Sequence, residues 1–350
     1  MKTTKTIKSL YFVWIMLLIA FVGKAQGQLN NESDLNNFIQ AAPGDASKLI
    51  SAYVNPVIKG VSYGMTSGWY HTAKTHKTFG VDLGVTVSAV NLPSSEETFN
   101  PNDLGLSANT VVNSQIAPTI IGPKIPSDYT LKYNAAAPGV PISGPEGLDF
   151  KKNLGGNWIP VPMYQVGVGI IKSTDLKVRF MPDTKSGDSH VKMLGFGLMH
   201  DVKQHFQGIK LLPFDLSVLV AYNSLSGSTT LINLDQSNDG KPYSTNGSVA
   251  YKLNSWIVQA IISKKVAILT FYLGAGYAAV SSKVDVKGTF VLDPYAASLS
   301  VPNPVSINYS NNGAKLTAGI RFKFGPIYLN TDYSVQKYNA LTVGIGGSIL

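Results

Sequence analysis

The sequence predicts an all-β protein, an antiparallel transmembrane β-barrel of about 12 strands, with 14 as the next choice, behind a short N-terminal helical segment. Three observations support this prediction. Apolar and polar residues alternate with a period of two along many segments, which is the side-chain period of a β-strand. These segments run to about ten residues, longer than most strands of soluble sheets. Only 14% of the residues are charged, whereas soluble proteins carry roughly a quarter.

Residues 1–25 are predicted to be a cleavable signal peptide. Three lysines among the first eight residues precede the apolar run Leu10–Val22. This run is too short to cross a bilayer core of about 30 Å as a helix. Small residues allow cleavage after Ala25 or after Gly27, and both choices stay open. Removal of the four lysines in this segment lowers the formal charge from +9 to +5. The expected location is the outer membrane of a Gram-negative bacterium.

The next segment, 26–55, is predicted to form two short helices interrupted at Pro43-Gly44. Apolar residues recur at helical spacing in both. Neither helix is long enough to be stable alone, so each must pack against the rest of the chain. One interpretation is a plug that enters the barrel lumen or closes its periplasmic mouth, and the other is a helix that rests under the barrel. The plug candidates are Leu35, Phe38, Ile39, Leu49, Ile50 and Tyr53.

Residues 56–350 are predicted to form the barrel, with long loops at 93–160, 225–246 and 284–313. Eleven strands follow from the alternation: 57–70, 77–92, 162–171, 176–182, 190–203, 211–224, 247–263, 266–282, 315–324, 326–336 and 339–349. A bacterial barrel of one chain has an even number of strands, so a twelfth is expected from 110–121. The 247–263 strand is expected to change phase near Ser255.

Charged residues within the strands share the polar phase, opposite the apolar residues. A cation that faces lipid near the midplane costs about 2–4 kcal/mol, so this phase is expected to face the lumen. Its mixed signs predict ion pairs that brace a filled lumen, and guidance of a solute is the alternative. The lumen-facing candidates are Asp82, Lys177, Arg179, Asp201, Asp215, Lys315, Arg321, Lys323 and Asp332.

No motif for catalysis or cofactor binding is found in the sequence, and no cysteine is present. The pairs His71/His76 and His200/His205 have a five-residue spacing, which on a strand places the rings on opposite faces. Residues 235–240 imitate the start of a calcium loop without its bidentate glutamate. We therefore expect no catalytic residue, metal, cofactor or enzymatic activity. The scattered basic residues also argue against a nucleic-acid partner.

Four stretches resemble an uncharacterised family of Bacteroidota outer-membrane barrels, over roughly the first half of the mature chain. They are Gly68–Tyr70, Thr72–Lys74, Pro118–Gly122 and Trp158–Pro160. The first two are expected to start the first hairpin. The order of N-terminal helix and barrel also resembles the long-chain fatty-acid outer-membrane transporters. That resemblance implies uptake of a hydrophobic solute, and it assigns no ligand residues.

The leading functional hypothesis is passive transport of a small, possibly hydrophobic solute, with the N-terminal helices as plug. The long outer loops motivate an alternative, a structural or surface-interaction protein that transports nothing. A lipid-modifying barrel enzyme is a remote third hypothesis, and the sequence shows no convergent Ser, His and acid set for it. Expected partners are outer-membrane lipid and, during biogenesis, the barrel-assembly machinery.

Overall fold

A computed structural model describes residues 43–132, 139–171, 173–186, 189–230, 243–291, 300–302 and 305–349. The predicted signal peptide and the plug candidates Leu35, Phe38 and Ile39 lie outside these ranges. The helices are α1 (Pro43–Gly64) and α2 (Phe150–Leu154). The strands are β1 (Val81–Asn91), β2 (Thr98–Phe99), β3 (Thr110–Val112), β4 (Ala117–Pro118), β5 (Asp128–Leu131), β6 (Val140–Ser143), β7 (Trp158–Gly169), β8 (Thr174–Ser186), β9 (Ser189–Asp201), β10 (Asp215–Thr230), β11 (Tyr243–Val266), β12 (Leu269–Val291), β13 (Ser300–Pro302), β14 (Val305–Phe324), β15 (Ile327–Val335) and β16 (Ala340–Ile349).

Ten of these strands close into an antiparallel ring in the described part of the chain. The ring runs β1-β7-β8-β9-β10-β11-β12-β14-β15-β16 and returns to β1. β1 and β16 complete it, with partners from Val81↔Ile349 to Val90↔Ala340. Closure pairs the backbone groups that a sheet edge would leave unpaired, which is the condition for strands to lie in lipid. The predicted fold class is confirmed.

The predicted strand number of about 12 is wrong, for two reasons. The first predicted strand, 57–70, is helical up to Gly64 and then enters the lumen. Val57, Ile58 and Val61 pack at helical spacing against a buried core, and this packing overrides their β-propensity. The proposed twelfth strand, 110–121, provides only the short strands β3 and β4 outside the ring. The ring has an even number of strands because one of the eleven predicted strands, 57–70, is not part of it and no twelfth strand is added.

Side chains alternate strictly between the two faces of the wall. On β12, Leu273 is 57% exposed on the outer face and its neighbour Tyr272 is 2% exposed on the inner face. The expected change of phase in β11 near Ser255 is wrong. Ile257 and Ile261 point inward on the same phase as Ser255, because an apolar surface inside the lumen receives them.

α1 is one continuous helix that lies in the outer mouth of the ring. Its apolar residues pack against inward-facing residues of β12 and β14 on one side and of β1 and β7 on the other. Pro56 removes one helical hydrogen bond, and burial on both sides of it, at Tyr53 and Tyr63, offsets that loss. A Cβ at Gly64 would lie 2.5 Å from Val161 Cγ2, so glycine permits the close approach to β7. Within the described ranges, no helix is long and apolar enough to cross a membrane.

The described residues of the segment 92–157 form a cap over the same mouth. It contains the two-stranded sheet β2-β4 and the three-stranded sheet β3-β5-β6. Residues Tyr129, Leu131 and Ile142 of the cap share a core with α1. The predicted loops at 225–246 and 284–313 are largely strand in the described residues, because β10, β11, β12 and β14 extend well beyond the length that a bilayer requires.

The two ends of the barrel differ in the length of their longest connection, which is 92–157 at one end and 202–214 at the other. β1 begins and β16 ends at the same end, where 170–173, 267–268 and 325–326 connect strands in a few residues. The cap connects strands at the opposite end. Short turns and the barrel termini are periplasmic in bacterial barrels, and long loops are extracellular. We therefore call these the periplasmic end and the outer end.

We expect this orientation to place the start of α1 outside the cell. The chain has no cysteine, and Gly44 and Gly208 are both exposed glycines with open space around a Cβ. A membrane-impermeant maleimide should label Gly44→Cys in intact cells. Gly208→Cys, in the linker between β9 and β10, should react only after the outer membrane is permeabilised. The reverse pattern would contradict the assigned orientation.

We expect Asp45 to stabilise the cap in a pH-dependent way. Its carboxylate accepts hydrogen bonds from Ser107 N at 2.9 Å, Ser107 Oγ at 2.6 Å and Thr110 Oγ1 at 2.8 Å. Burial alone would raise the pKa of Asp45, but these hydrogen bonds and the charge of Lys48 hold it below its ordinary value of 3.8. The stabilisation is therefore present above about pH 3.8 and is lost as the pH falls through the lower folded value.

Asp45→Asn should reduce protection of residues 107–112 from amide hydrogen exchange at pH 6, corresponding to about 1–3 kcal/mol. The difference from wild type should shrink below pH 3.8. Asp103→Asn, at an exposed site in the same cap, is the control and should change little. Equal exchange in all three proteins at pH 6 would refute the role of Asp45.

Candidate functional site in the barrel lumen

The lumen is occupied by residues 65–80, which we call the lumen segment. It connects α1 at the outer end with β1 at the periplasmic end. Side chains of the wall hydrogen-bond to its backbone. Asn223 Nδ2 donates to Met65 O at 2.9 Å, Ser217 Oγ donates to Ala73 O at 2.5 Å, and Ala73 N donates to Ser263 Oγ at 2.9 Å. Residues 65–78 are therefore held by the wall without joining its sheet, and Phe79 and Gly80 exchange backbone hydrogen bonds with Gly169 at the end of β7.

Two cations of the wall bind the upper part of the lumen segment at Ser67. Arg179 Nη1 donates to Ser67 O at 2.9 Å, and Lys315 Nζ donates to Ser67 Oγ at 2.8 Å. Gln165 Oε1 accepts from Arg179 Nη2 at 2.9 Å, and Gln336 Oε1 accepts from Lys315 Nζ at 2.9 Å. The ion pairs predicted to brace the lumen are not formed by either cation in the described residues, since oxygens of the segment occupy that position.

The middle of the lumen segment is aromatic. Trp69 and Tyr70 are buried against an apolar patch of the wall. Its residues are Met199, Leu219, Ala221, Ile257, Ile261 and Tyr272. The Arg179 guanidinium lies 4.0 Å from the centre of a Trp69 ring, a cation–π contact. A Cβ at Gly197 would lie 2.9 Å from Trp69, so this glycine leaves room for the indole.

A buried cluster around Asp82 holds the lower part of the lumen segment. His71 Nε2 lies 3.3 Å from Asp82 Oδ2, and Tyr328 OH donates to Asp82 Oδ1 at 2.9 Å. Arg321 Nη1 lies 3.0 Å from His71 Nδ1. Since a guanidinium can only donate, His71 Nδ1 accepts and its Nε2 carries the proton that faces Asp82.

His76 fastens the segment at the periplasmic end. Its Nδ1 lies 2.9 Å from Asp175 Oδ2, its backbone N–H donates to Asp175 Oδ1 at 2.9 Å, and its Nε2 lies 3.1 Å from Ser348 Oγ. The sequence shows no convergent Ser, His and acid set, yet the fold assembles one here. Asp82 Oδ2 lies 3.9 Å from the same Nε2, so the ring is shared with a second carboxylate, unlike the His of a hydrolytic triad. We interpret these contacts as the attachment of the periplasmic end of the segment to the wall.

The structure places the other lumen-facing candidates as follows. Asp332 is buried and accepts from Tyr272 OH at 3.0 Å. Lys177 is buried within electrostatic range of Asp82 and Asp175. The remaining candidates, Asp201, Asp215 and Lys323, are half-buried on the inward phase at the periplasmic mouth.

The plug candidates that the structure describes lie elsewhere. Leu49, Ile50 and Tyr53 are buried in α1 at the outer mouth, against the cap and the extensions of β12 and β14. They neither fill the middle of the lumen nor close its periplasmic mouth. For residues 43–55, the expectation of a helix under the barrel is wrong for the same reason, since α1 lies at the outer end.

Sequence reasoning missed the lumen segment, because it read 57–70 and 77–92 as the first two strands. One signal was available: residues 71–78 (HTAKTHKT) show no apolar alternation. The pairing of His76 with Asp175 and Ser348 spans 99 and 272 positions. No local pattern indicates a contact at such a separation.

A closed antiparallel ring with an apolar outer face and a polar, filled interior defines an outer-membrane β-barrel protein. The chain belongs to DUF6588, a family described as being of unknown function, whose model matches residues 1–349. No curated protein matches the chain. The resemblance to the fatty-acid transporters and the Bacteroidota origin stay predictions.

Solved structures similar to the chain are also barrels. The translocator domain of the autotransporter NalP from Neisseria meningitidis is 11% identical, with a TM-score of 0.30, over 85% of this chain and 94% of that chain. The attachment invasion locus protein Ail of Yersinia pestis is 8% identical, with a TM-score of 0.25, over 78% and 99%. The Ralstonia pickettii toluene transporter TbuX is 8% identical, with a TM-score of 0.21, over 78% and 90%. Similarity at this level carries no argument about function.

We expect Trp69 to contribute much of the stability of the filled lumen. Trp69→Ala should destabilise the folded barrel by about 3–5 kcal/mol, since it removes a fully buried indole and leaves a cavity. Trp256 is 54% exposed on the outer face, so Trp256→Ala should cost about 1 kcal/mol or less. Thermal unfolding of both variants in detergent micelles measures the difference. Equal losses would show that the lumen indole is not a structural anchor.

Proposed function

We propose that the protein is a passive outer-membrane conduit for a small solute, closed by the lumen segment and opened when that segment moves. The hydrogen bonds between the wall and the segment support the proposal. Charged and polar side chains of β8, β10 and β14 bind the backbone and side chains of residues 65–73. Ionisable groups inside a membrane protein are costly, and they commonly mark the path of a solute or ion.

The way in which the segment is held supports its role as a gate. No ladder of strand pairing ties residues 65–78 to the ring in the described structure. Individual hydrogen bonds contribute about 0.5–1.5 kcal/mol each, and somewhat more where one partner is charged. A segment held in this way can be released in steps while the ring stays closed. α1 would have to shift with it, because the helix continues directly into the segment.

A reversible lock of the lumen segment tests the proposal. Thr72 Oγ1 on the segment lies 3.2 Å from Ser263 Oγ on the wall, and the chain has no other cysteine that could interfere. The variant Thr72→Cys/Ser263→Cys should form a disulfide after a small further approach to about 2.05 Å between sulfurs. In planar bilayers, wild type and the reduced variant should show conducting events, and oxidation should silence the variant until reductant is added.

A matched control exists in the wall itself. Ser88 Oγ on β1 lies 3.1 Å from Thr342 Oγ1 on β16, with both residues buried. The variant Ser88→Cys/Thr342→Cys should therefore form a similar disulfide that leaves the segment free, and oxidation should not silence it. Equal conductance of the oxidised and reduced lock would reject the segment as gate. Complete absence of events in wild type would reject solute passage.

A second candidate function is surface interaction through the cap. Ile116 and Ile125 are 67% and 63% exposed on the outer end, and burial of their apolar surface against a partner would be favourable. If this function holds, Ile116→Ser/Ile125→Ser should weaken attachment of whole cells to a surface without changing conductance. Unchanged attachment would remove this candidate.

A further inference from the structure

The upper lumen contains two cations without an acidic partner. Arg179 is 0% exposed and Lys315 is 1% exposed. Within the described residues, no carboxylate oxygen lies at ion-pair distance from either of them. Asp332 acts on both only at longer range. A buried charge that lacks an opposite charge is strongly destabilising unless other groups compensate it.

Neutral oxygens of the lumen segment provide that compensation. The carbonyl and hydroxyl oxygens of Ser67 lie 2.9 Å from Arg179 Nη1 and 2.8 Å from Lys315 Nζ. Met65 O and Thr66 Oγ1 are more distant acceptors, at 3.3 and 3.2 Å. Ser67 thus presents two oxygens to two cations, as a carboxylate would, but without the negative charge that would balance them.

We propose that Arg179 and Lys315 form a binding subsite for a small monocarboxylate, which replaces Ser67 when the lumen segment moves. The inference rests on the proposed function, because the subsite is occupied while the segment is in place. Two cations and Asp332 leave one net positive charge, which one carboxylate neutralises. Arg179 Nη1 and Lys315 Nζ, which now donate to Ser67, would each donate to one oxygen of the carboxylate, while Gln165 keeps the other edge of the guanidinium.

The periplasmic mouth has a charge that fits the same class of solute. Lys74, Lys77 and Lys265 are exposed there and Lys323 is half-buried. The described acids at this end are less accessible: Asp82 and Asp175 are buried, and Asp201 and Asp215 are half-buried. An accessible rim of one sign raises the local concentration of counter-ions. Anions are therefore drawn to the end of the lumen that lies below the subsite.

Competition for the segment tests the subsite without requiring conductance. The reduced lock, Thr72→Cys/Ser263→Cys, is oxidised with diamide in vesicles, in sodium acetate or in sodium chloride of equal ionic strength. Acetate that occupies the subsite should displace the segment and slow cross-linking several-fold relative to chloride. When the lock variant also carries Arg179→Gln or Lys315→Gln, cross-linking should proceed at the same rate in acetate and in chloride. Adding Lys264→Gln, which removes an exposed lysine on the outward phase of β11, should preserve the difference between the two salts.

Conductance gives the second measurement. In a potassium acetate gradient, the reversal potential of wild-type events should indicate acetate preference over potassium. Arg179→Gln should lower that preference about tenfold, the factor expected for one charge-assisted hydrogen bond, and Lys264→Gln should not. Gel mobility of heated and unheated samples verifies that each variant folds.

The outcomes separate the two proposals. Conducting events without any acetate effect on cross-linking or selectivity would overturn the subsite and leave the conduit. An acetate effect on cross-linking without conducting events would keep the subsite and overturn solute passage. Absence of both would overturn both.

Discussion

The rest of the structure depends on one constraint, the need for wall side chains to hydrogen-bond the backbone of the lumen segment. A ring of ten strands satisfies its own backbone, but a single chain segment that passes through it cannot. Asn223, Ser217 and Ser263 supply the missing partners for backbone groups of residues 65–73. Their removal would leave buried donors and acceptors unpaired, each at a cost of about 1–3 kcal/mol. The polar inner face is therefore required by the segment as much as by any solute.

Polar and charged contacts hold the two ends of the lumen segment, and apolar packing holds its middle. Arg179 and Lys315 clamp Ser67 near the outer end, and the pairs of His71 with Asp82 and of His76 with Asp175 hold the periplasmic end. Between them, aromatic residues of the segment fill an apolar patch. Directional bonds at both ends determine where the segment lies, and the apolar contact between them adds burial without specifying a direction. Such a division defines one position of the segment through several separate contacts.

The cap and α1 depend on the same arrangement, since α1 continues into the lumen segment without a break. Its residues Leu49 and Tyr53 share a core with Tyr129 and Leu131 of the cap, and Asp45 ties its first turn to Ser107. The proposed movement of the segment would thereby be transmitted to the outer surface. A partner that binds the cap and a solute in the lumen would act on one connected element.

Period-two alternation by itself determined the barrel class, the order of the ring strands from β7 onwards with their periplasmic ends to within a few residues, and the inward phase of Asp82, Arg179, Lys315 and Asp332, because side-chain period is a local property of the backbone. The outer extensions of β10, β12 and β14 were predicted to be loops. The contacts of Ser67 with two distant strands and of His76 with Asp175 and Ser348 were decided only by the tertiary structure. So was the helical state of 57–64, whose β-branched residues favour a strand until the cap and the wall bury them at helical spacing. Ring closure brings together residues that are far apart in sequence, and no local pattern records which of them meet.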